Sequence, residues 1–341
     1  MPDSAILTLT MNPSIDKSTG LQKVEPNKKL RCQQPSFTPG GGGINVARSI
    51  CKLGGEAKAV YPAGGPTGDI LEHLLEKENV VQCRITTESW MRENLAVIEE
   101  ITNDHYRFEM PGAYLHEHEW KSCLETILKE GQTANYLVAS GSLPPGVPDD
   151  FYTQLAIKAR DTKLKIIVDT SGESLRKLKG TGIFMLKPNL RELCDYTGNK
   201  LTSEEDQEQA ARELVNNGTC DILVLSLGAS GVLLVTKDFQ KRFRSPKVSV
   251  KSRIGAGDST VAGIVLGLTR KMDLKQAVMF GLSSGAAAVM TPGTELCRRE
   301  DAERLYNQMK EEKDYELTSK FGKIKTFNKN TLAQGENHGQ N

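Results

Sequence analysis

"SEEDQEQAARELVNNGTCDILVLSLG" (203–228) reads as a helix followed at once by a strand. Ser203 with an acid three residues on is a helix-start signal, and Asn217-Gly218 is a helix stop. "DILVLSLG" (221–228) is then a short apolar run of strand length. The same unit recurs along the chain. Strand-like runs stand at "AILTLT" (5–10), "AKAVYPAG" (57–64), "YLVASG" (136–141), "KIIVDTSG" (165–172) and "IFMLKPN" (183–189). Amphipathic stretches such as "DILEHLLEKEN" (69–79) and "DDFYTQLAIKARDT" (149–162) lie between them. Such alternation predicts an α/β fold, a mainly parallel central sheet with helices on both faces.

Two regions break the alternation. Residues about 15–38 and 91–111 read as strands with no helix between them. "LAVIEEI" alternates apolar with polar positions, and "NDH" (103–105) suits a hairpin turn. Together they predict a small antiparallel sheet standing off the main domain as a lid. One domain is expected over 1–316. Beyond it, 317–341 is rich in Lys, Asn and Gly and reads as a disordered tail.

The chain has 341 residues, 38% hydrophobic and 26% charged, enough for a sizeable core under a soluble surface. A net charge of only +1 argues against nucleic acid or an anionic membrane as partner. The seven cysteines are scattered, with no Cys-x-x-Cys pair, which fits reduced thiols in the cytoplasm rather than a disulfide frame or a zinc site. The N-terminus lacks the basic and apolar blocks of a signal peptide. No stretch approaches the ~20 apolar residues that span a bilayer. His116 and His118 lack metal-ligand spacing and read as a helix-start surface.

"RIGAGDSTVAGIVLGL" (253–268) places one acid, Asp258, among glycines at the mouth of a buried-looking helix. Glycines at a helix start let backbone amides converge on an oxyanion, and the helix dipole adds about half a positive charge there. Gly255, Ala256 and Gly257 would then form an anion hole for a transferring phosphoryl group, with Asp258 taking the proton of the attacking hydroxyl. The plainer alternative is a tight turn in which Asp258 merely caps its helix. The dinucleotide fingerprint and the P-loop fit worse, since Thr260 stands where the former wants Gly and no G-x-x-x-x-G-K-[ST] occurs. "FTPGGGGINVARSICKLGG" (37–55) is the second unusual segment. Its glycines would let a polyol approach the backbone, with Asn45 hydrogen-bonding hydroxyls; a flexible linker is the alternative.

Asn45 with its preceding glycines, "KPNLRE" (187–192) and "IGAGDSTVAG" (254–263) stand in one order across residues 5–310. In this the chain resembles the ribokinase-like (PfkB) carbohydrate kinases. It is similar to the branch with ATP-dependent 6-phosphofructokinase activity in "KLRC" (29–32), "PGGGGINVAR" (39–48), "R-x-N-L" (92–95), "YRF-x-MPG" (106–112) and "SGSLPPGV" (140–147).

The resemblance implies a set of roles. Asp16, Gly41, Gly42 and Asn45 would hold sugar hydroxyls, and Asp258 would be the general base beside the amides of Gly255, Ala256 and Gly257. Lys29, Lys187 and Asn189 would face ATP, with Ser226, Gly228, Gly231 and Ser284 lining the rest of its site. Glu192 would hold Mg²⁺ through water. Carbonyls near Ser252, Ile254, Ala288 and Gly293 would form a K⁺ site, although Ser252-Arg253-Ile254 departs from the Asp-Thr of many relatives. Arg31 and Arg92 suit a sugar phosphate because guanidinium pairs with phosphate bidentately, and Ser142 would add a hydrogen bond. The lid strands carrying the arginines would close over the sugar.

The implied reaction is transfer of the ATP γ-phosphate to O1 of fructose 6-phosphate. Tagatose 6-phosphate and fructose 1-phosphate are the alternative acceptors. Kinases acting on those two usually carry Lys in the glycine loop, where this chain has Gly42. A non-catalytic sugar-phosphate-binding regulator is the alternative from another class. Unpaired lid edges predict a homodimer formed through the lid.

Overall fold

The computed structural model describes residues 5–311; the expected tail at 317–341 lies outside them. In chain order the elements begin with β1 (Ile6–Leu9), β2 (Ser14–Leu21), β3 (Ser36–Gly40), α1 (Gly42–Lys52), β4 (Lys58–Gly64), α2 (Gly65–Lys77) and β5 (Val81–Trp90). They continue through β6 (Arg92–Glu99), β7 (His105–Phe108), α3 (Glu117–Glu130), β8 (Tyr136–Ser140), α4 (Phe151–Lys158), β9 (Lys165–Asp169), α5 (Gly172–Arg176) and β10 (Ile183–Leu186). Then follow α6 (Leu190–Thr197), α7 (Glu204–Asn216), β11 (Cys220–Ser226), β12 (Val232–Thr236), β13 (Gln240–Phe243), α8 (Ala256–Thr269) and α9 (Leu274–Val289). Residues 299–311 are helical.

Nine strands form the main sheet in the order β13-β12-β11-β10-β9-β8-β1-β4-β5. Pairing is parallel from β11 to β5 and antiparallel only at β11–β12 and β12–β13. Each interior strand is apolar on both faces because helices cover both. Along β9, Ile167 enters one core with α8 and α9, while Ile166 and Val168 enter the other with α3, α4 and α7. Burying each such side chain stabilises the fold by about 1.5–3 kcal/mol. The Ser203 start signal is a full capping box, with the Ser203 side chain accepting from the Asp206 amide. No described helix is long and apolar enough to cross a membrane, and all seven cysteines are free.

The second sheet has the order β3-β2-β6-β7. Here one expectation is corrected: β2 and β6 pair in parallel over eight residue pairs, so the small sheet is mixed. Its other pairings, β2–β3 and β6–β7, are antiparallel. A parallel pair cannot be joined by a hairpin, and β2 and β6 are indeed separated by β3, α1, β4, α2 and β5. The turn of the β6–β7 hairpin includes Asn103 at φ 59°, with β7 opening at His105. The segment 22–35 is irregular rather than extended strand.

α8 opens on Gly255, in the left-handed region at φ 73°. Its glycines let it lie close to α9. A Cβ on Gly263 would meet Ser284 Oγ at 2.5 Å and the Gly281 Cα at 2.7 Å. Small residues on the facing sides fix that close approach, and with it the position of the α8 N-terminus.

Candidate active site

The C-terminal ends of β1, β8, β9, β10 and β11 point the same way, and the loops after them carry Asn12, Ser142, Lys187 and Leu227, with Asp169 closing β9. The chain leaves β1 toward β4 on one side and β8 on the other, the kind of switch point where open α/β sheets bind ligands. The glycine loop before α1 closes over this rim. A Cβ on Gly43 would collide with the Leu9 carbonyl, one on Gly42 with Ser140 Oγ, and one on Gly41 would lie 2.6 Å from Thr10 Cγ2. These glycines are therefore required by the loop's seat on β1 and β8, and the flexible-linker alternative fails. Gly40 leaves room for Asp16, whose carboxyl carbon would lie 2.7 Å from an added Cβ.

Asp258 stands in the first turn of α8. Its Oδ2 accepts from Asn45 Nδ2 at 3.0 Å, so the two sequence motifs meet directly. Burial pushes the Asp258 carboxyl up to about 7, with the Asp169 charge adding to the rise; the Asn45 hydrogen bond, Lys187 and Arg48 oppose it. A carboxyl poised there exchanges protons near neutral pH. No side chain caps the start of α8, so Asp258 is not a capping residue and the amides of Gly255, Ala256 and Gly257 have no side-chain acceptor. Opposite them stands Lys187, only 5% exposed, with its Nζ 3.6 Å from where a Gly257 Cβ would be. Lys187 pairs with Asp169 at 3.0 Å. Burial works against its charge, but Asp169, Glu192 and Asp258 prevail and raise its pKa.

Asn189 and Glu192 form a reciprocal capping box on α6. Asn189 Oδ1 accepts from the Glu192 amide at 2.9 Å, and Glu192 Oε2 accepts from the Asn189 amide at 2.8 Å. Glu192 Oε1 is not part of this box, and burial raises the Glu192 carboxyl.

Toward the lid, Asp16 Oδ1 accepts from Ser14 Oγ and Asn94 Nδ2, each at 2.9 Å, while Asn94 Oδ1 accepts from the Met110 amide. Both bonds to Asp16 fall on Oδ1, not on Oδ2. Arg92 donates to the carbonyls of Met110 and Asn12, each at 3.1 Å, and its Nε is buried without a partner. Burial lowers the guanidinium pKa, against the nearby charges of Asp16 and Glu109. Ser142 Oγ accepts from Asn12 Nδ2 at 3.1 Å. Asn12, Asn94 and Asp169 escaped the sequence reading, although Asn94 and Asp169 each lie inside a quoted segment. The signal for Asp169 was an acid ending a parallel strand beside the "KPN" strand.

Several expected residues fall elsewhere. Ser284 is fully buried, its Oγ donating to the Phe280 carbonyl at 2.8 Å, because α9 turns that face onto Gly263 of α8; it lines no cleft. Gly231 is buried against the Phe243 carbonyl, so β13 rather than a nucleotide requires a glycine there. Ser226, half-buried at the end of β11 and bridged to Asn189, and Gly228, which opens an exposed 3-10 turn, do lie on this rim. Lys29 and Arg31 are exposed in the irregular 22–35 loop, not on a lid strand, and no hydrogen bond or ion pair ties them to Asp16 or Ser142. Ser252 Oγ donates to the Gly293 carbonyl at 2.8 Å and accepts from the Ile254 amide, uniting three members of the expected K⁺ site. The Ala288 carbonyl instead takes both the amide and the hydroxyl of Thr291, which removes it from that set. His116 caps α3 and stacks on His118, a helix-start surface as expected.

Comparison with known proteins points the same way. Residues 1–301 match the pfkB family carbohydrate kinase description. The chain is 42% identical over 301 residues to the ATP-dependent 6-phosphofructokinase isozyme 2 of Mycobacterium tuberculosis, covering 88% of each chain. To the Escherichia coli K12 isozyme 2 it is 43% identical over 302 residues, covering 88% of this chain and 97% of that one. Phosphofructokinase-2 from Escherichia coli superposes with a TM-score of 0.86 in complex with potassium, at 42% identity over 90% of this chain and 99% of that one. In complex with substrates and products it gives 0.84, at 42% identity over 89% and 99%. With three motifs gathered on one rim and a match over nearly the whole described chain, this protein belongs to the pfkB family of carbohydrate kinases.

Proposed function

We propose that the chain is an ATP-dependent 6-phosphofructokinase, moving the γ-phosphate of ATP to O1 of fructose 6-phosphate to give fructose 1,6-bisphosphate. The observation that carries this reading is the pairing of a carboxylate held by Asn45 with uncapped helix-start amides and the Lys187 ammonium. Asp258 accepts the O1 proton as the oxygen attacks phosphorus. The amides of Gly255, Ala256 and Gly257 receive the equatorial oxygens of the migrating group, and Lys187 offsets their charge. Asp16 and Asn45 orient the hydroxyls, and Arg92 and Ser142 suit the 6-phosphate end. The names of the relatives, both 6-phosphofructokinases, support this acceptor.

Asp169, Glu192 and Asp258 all act on the single Lys187 charge, an excess of acid that a divalent cation suits. Mg²⁺ keeps much of its hydration shell and would be carried largely by phosphate and water. Glu192, through water, and the nucleotide would hold it, and bound there it supplies charge neutralisation. The Ser252, Ile254 and Gly293 loops would hold K⁺, as the potassium complex of the Escherichia coli relative suggests. Cytoplasmic glycolysis is the setting, consistent with free thiols. A homodimer through the lid is the assembly; a tetrameric inhibited form is known for the Escherichia coli relative.

The test is ADP release from ATP with fructose 6-phosphate, tagatose 6-phosphate and fructose 1-phosphate in turn. Highest kcat/KM for fructose 6-phosphate is expected. Preference for another acceptor replaces the substrate, and binding with no ADP from any of them overturns the kinase reading.

A further inference from the structure

Behind Asn45 lies Arg48, one turn further along α1 and only 2% exposed. Its Nε and Nη2 make a two-point pair with Glu78, at 2.9 and 2.7 Å, just past the end of α2. That pair aims Nη1 at Asn45 Oδ1, 3.1 Å away, and at the Pro39 carbonyl of β3, 3.0 Å away. We propose that Arg48, clamped by Glu78, is a positioning residue that fixes the Asn45 amide with its donor end toward Asp258 and so keeps the catalytic carboxyl in its ionised form.

Hydrogen-bond polarity sets the orientation of this amide. A guanidinium can only donate, and an ionised carboxylate can only accept. Asn45 lies between them with one donor end and one acceptor end. Only one orientation satisfies both neighbours: oxygen toward Arg48, nitrogen toward Asp258. The flipped amide would set its NH₂ against a guanidinium and its oxygen against Asp258, which only a protonated carboxyl satisfies. Without Arg48 the amide is free to flip, and the O–H of protonated Asp258 gains an acceptor that the native arrangement denies it. The other charges facing Asp258 are Asp169 at the end of β9 and Lys187 after β10. Neither touches the amide, so neither replaces its orienting bond.

The inference rests on the reading of Asp258 as the base, and two measurements separate the two claims. The first is kcat against pH with ATP and fructose 6-phosphate for the wild type, Arg48→Met, Glu78→Ala and Glu78→Gln. Arg48→Met and Glu78→Ala should move the acid limb upward by about half to one pH unit, comparable to the loss of one hydrogen bond to a charged form. At pH 7 they should lose roughly two- to fivefold in kcat with a smaller change in KM. Glu78→Gln keeps an acceptor for Arg48 and should recover most of the loss. The second is titration of the Asp258 carboxyl carbon by ¹³C NMR in the ligand-free protein, assigned with Asp258→Asn. The same upward displacement is expected there and needs no turnover. If the wild type phosphorylates no sugar phosphate, the proposed function falls while the carboxyl titration still decides this inference. Folded Arg48→Met with an Asp258 titration superimposable on the wild type overturns it. Should Arg48→Met fail to fold, the Glu78→Ala and Glu78→Gln pair decides by the same displacement and recovery.

Discussion

At Asp258 a buried carboxylate carries a cost in stability. Held at about 7 by burial and by the Asp169 charge, it binds its proton far more tightly than the ~3.9 of an unfolded aspartate. A raised folded value means that its contribution to stability is fully present below the unfolded pKa and is lost as pH rises through the folded one. At pH 8 the wild type therefore carries the whole penalty. Asp258→Asn removes the charge while leaving an acceptor for the Asn45 amide. It should lower kcat by about three orders of magnitude or more, with sugar-phosphate affinity little changed. Its Tm should exceed that of the wild type by several degrees at pH 8.5 and by less at pH 5.5. Paired activity and thermal-melt series read both effects. A Tm difference independent of pH would mean that Asp258 is not held protonated near neutrality, and a large loss of sugar binding would mean that its role is binding. That Asp258 and Asn45 were candidates for one site was legible in the sequence because each sits beside glycines whose spacing has a chemical reason; their direct hydrogen bond was not. The burial of Ser284 was not, since which face of α9 meets α8 depends on glycines in another helix. Arg48 was hidden for the same reason. An arginine on a helix face reads as surface until a distant Glu78 is seen to hold it.

At the scale of elements, the glycine loop and α1 set the geometry more than any single ligand residue. The loop binds Ile44 through Thr10, whose Oγ1 accepts the Ile44 amide at 2.7 Å. Gly43 rests directly on the Leu9 carbonyl. That oxygen belongs to β1, an interior strand of the main sheet, and cannot step aside as a flexible side chain would. Gly43→Ala should therefore destabilise the protein by about 2 kcal/mol or more, the range for a forced steric shift in a packed interior. It should also cut kcat, because α1 carries Asn45. Gly180→Ala is the control: its positive φ of 73° makes it a strained position, but nothing lies within 4 Å of the added carbon. About 1 kcal/mol is expected there, with the site left intact. Urea unfolding of both variants measures the contrast, and equal losses would show that conformation rather than contact governs the loop. That four consecutive glycines were structural rather than a linker was legible from Asn45 and the helix behind them. What they approach was not: the sequence reading offered a polyol, whereas the nearest neighbours of Gly42 and Gly43 are Ser140 and Leu9 of the protein itself.

For the whole molecule, alternation of strand and helix was enough to recover six parallel strands, because each is a local apolar run with a helix beside it. The parallel β2–β6 pairing escaped because it joins segments about seventy residues apart, and nothing local distinguishes it from a hairpin. That pairing has a consequence for assembly. Register and the two-residue period of a strand place Asp16 and Asn94 on one face of the lid, and Phe37, Leu95 and Phe108 on the other. Phe37 is 40% exposed and Phe108 is 49% exposed, and both β3 and β7 are sheet edges. Aromatic side chains on one side of a four-stranded sheet with two open edges are better covered than solvated. A second lid, laid face to face, covers them while both polar faces stay turned to their own sites. The expected assembly is thus a dimer by sedimentation at micromolar protein. Phe108→Lys should shift it toward monomer, because the ammonium would have to be buried between two sheets. Activity per subunit should fall with it, since the strands carrying Asp16 and Asn94 lose the support on their back face. A wild type that sediments only as monomer, or a Phe108→Lys variant that stays fully dimeric, would place the contact on another surface.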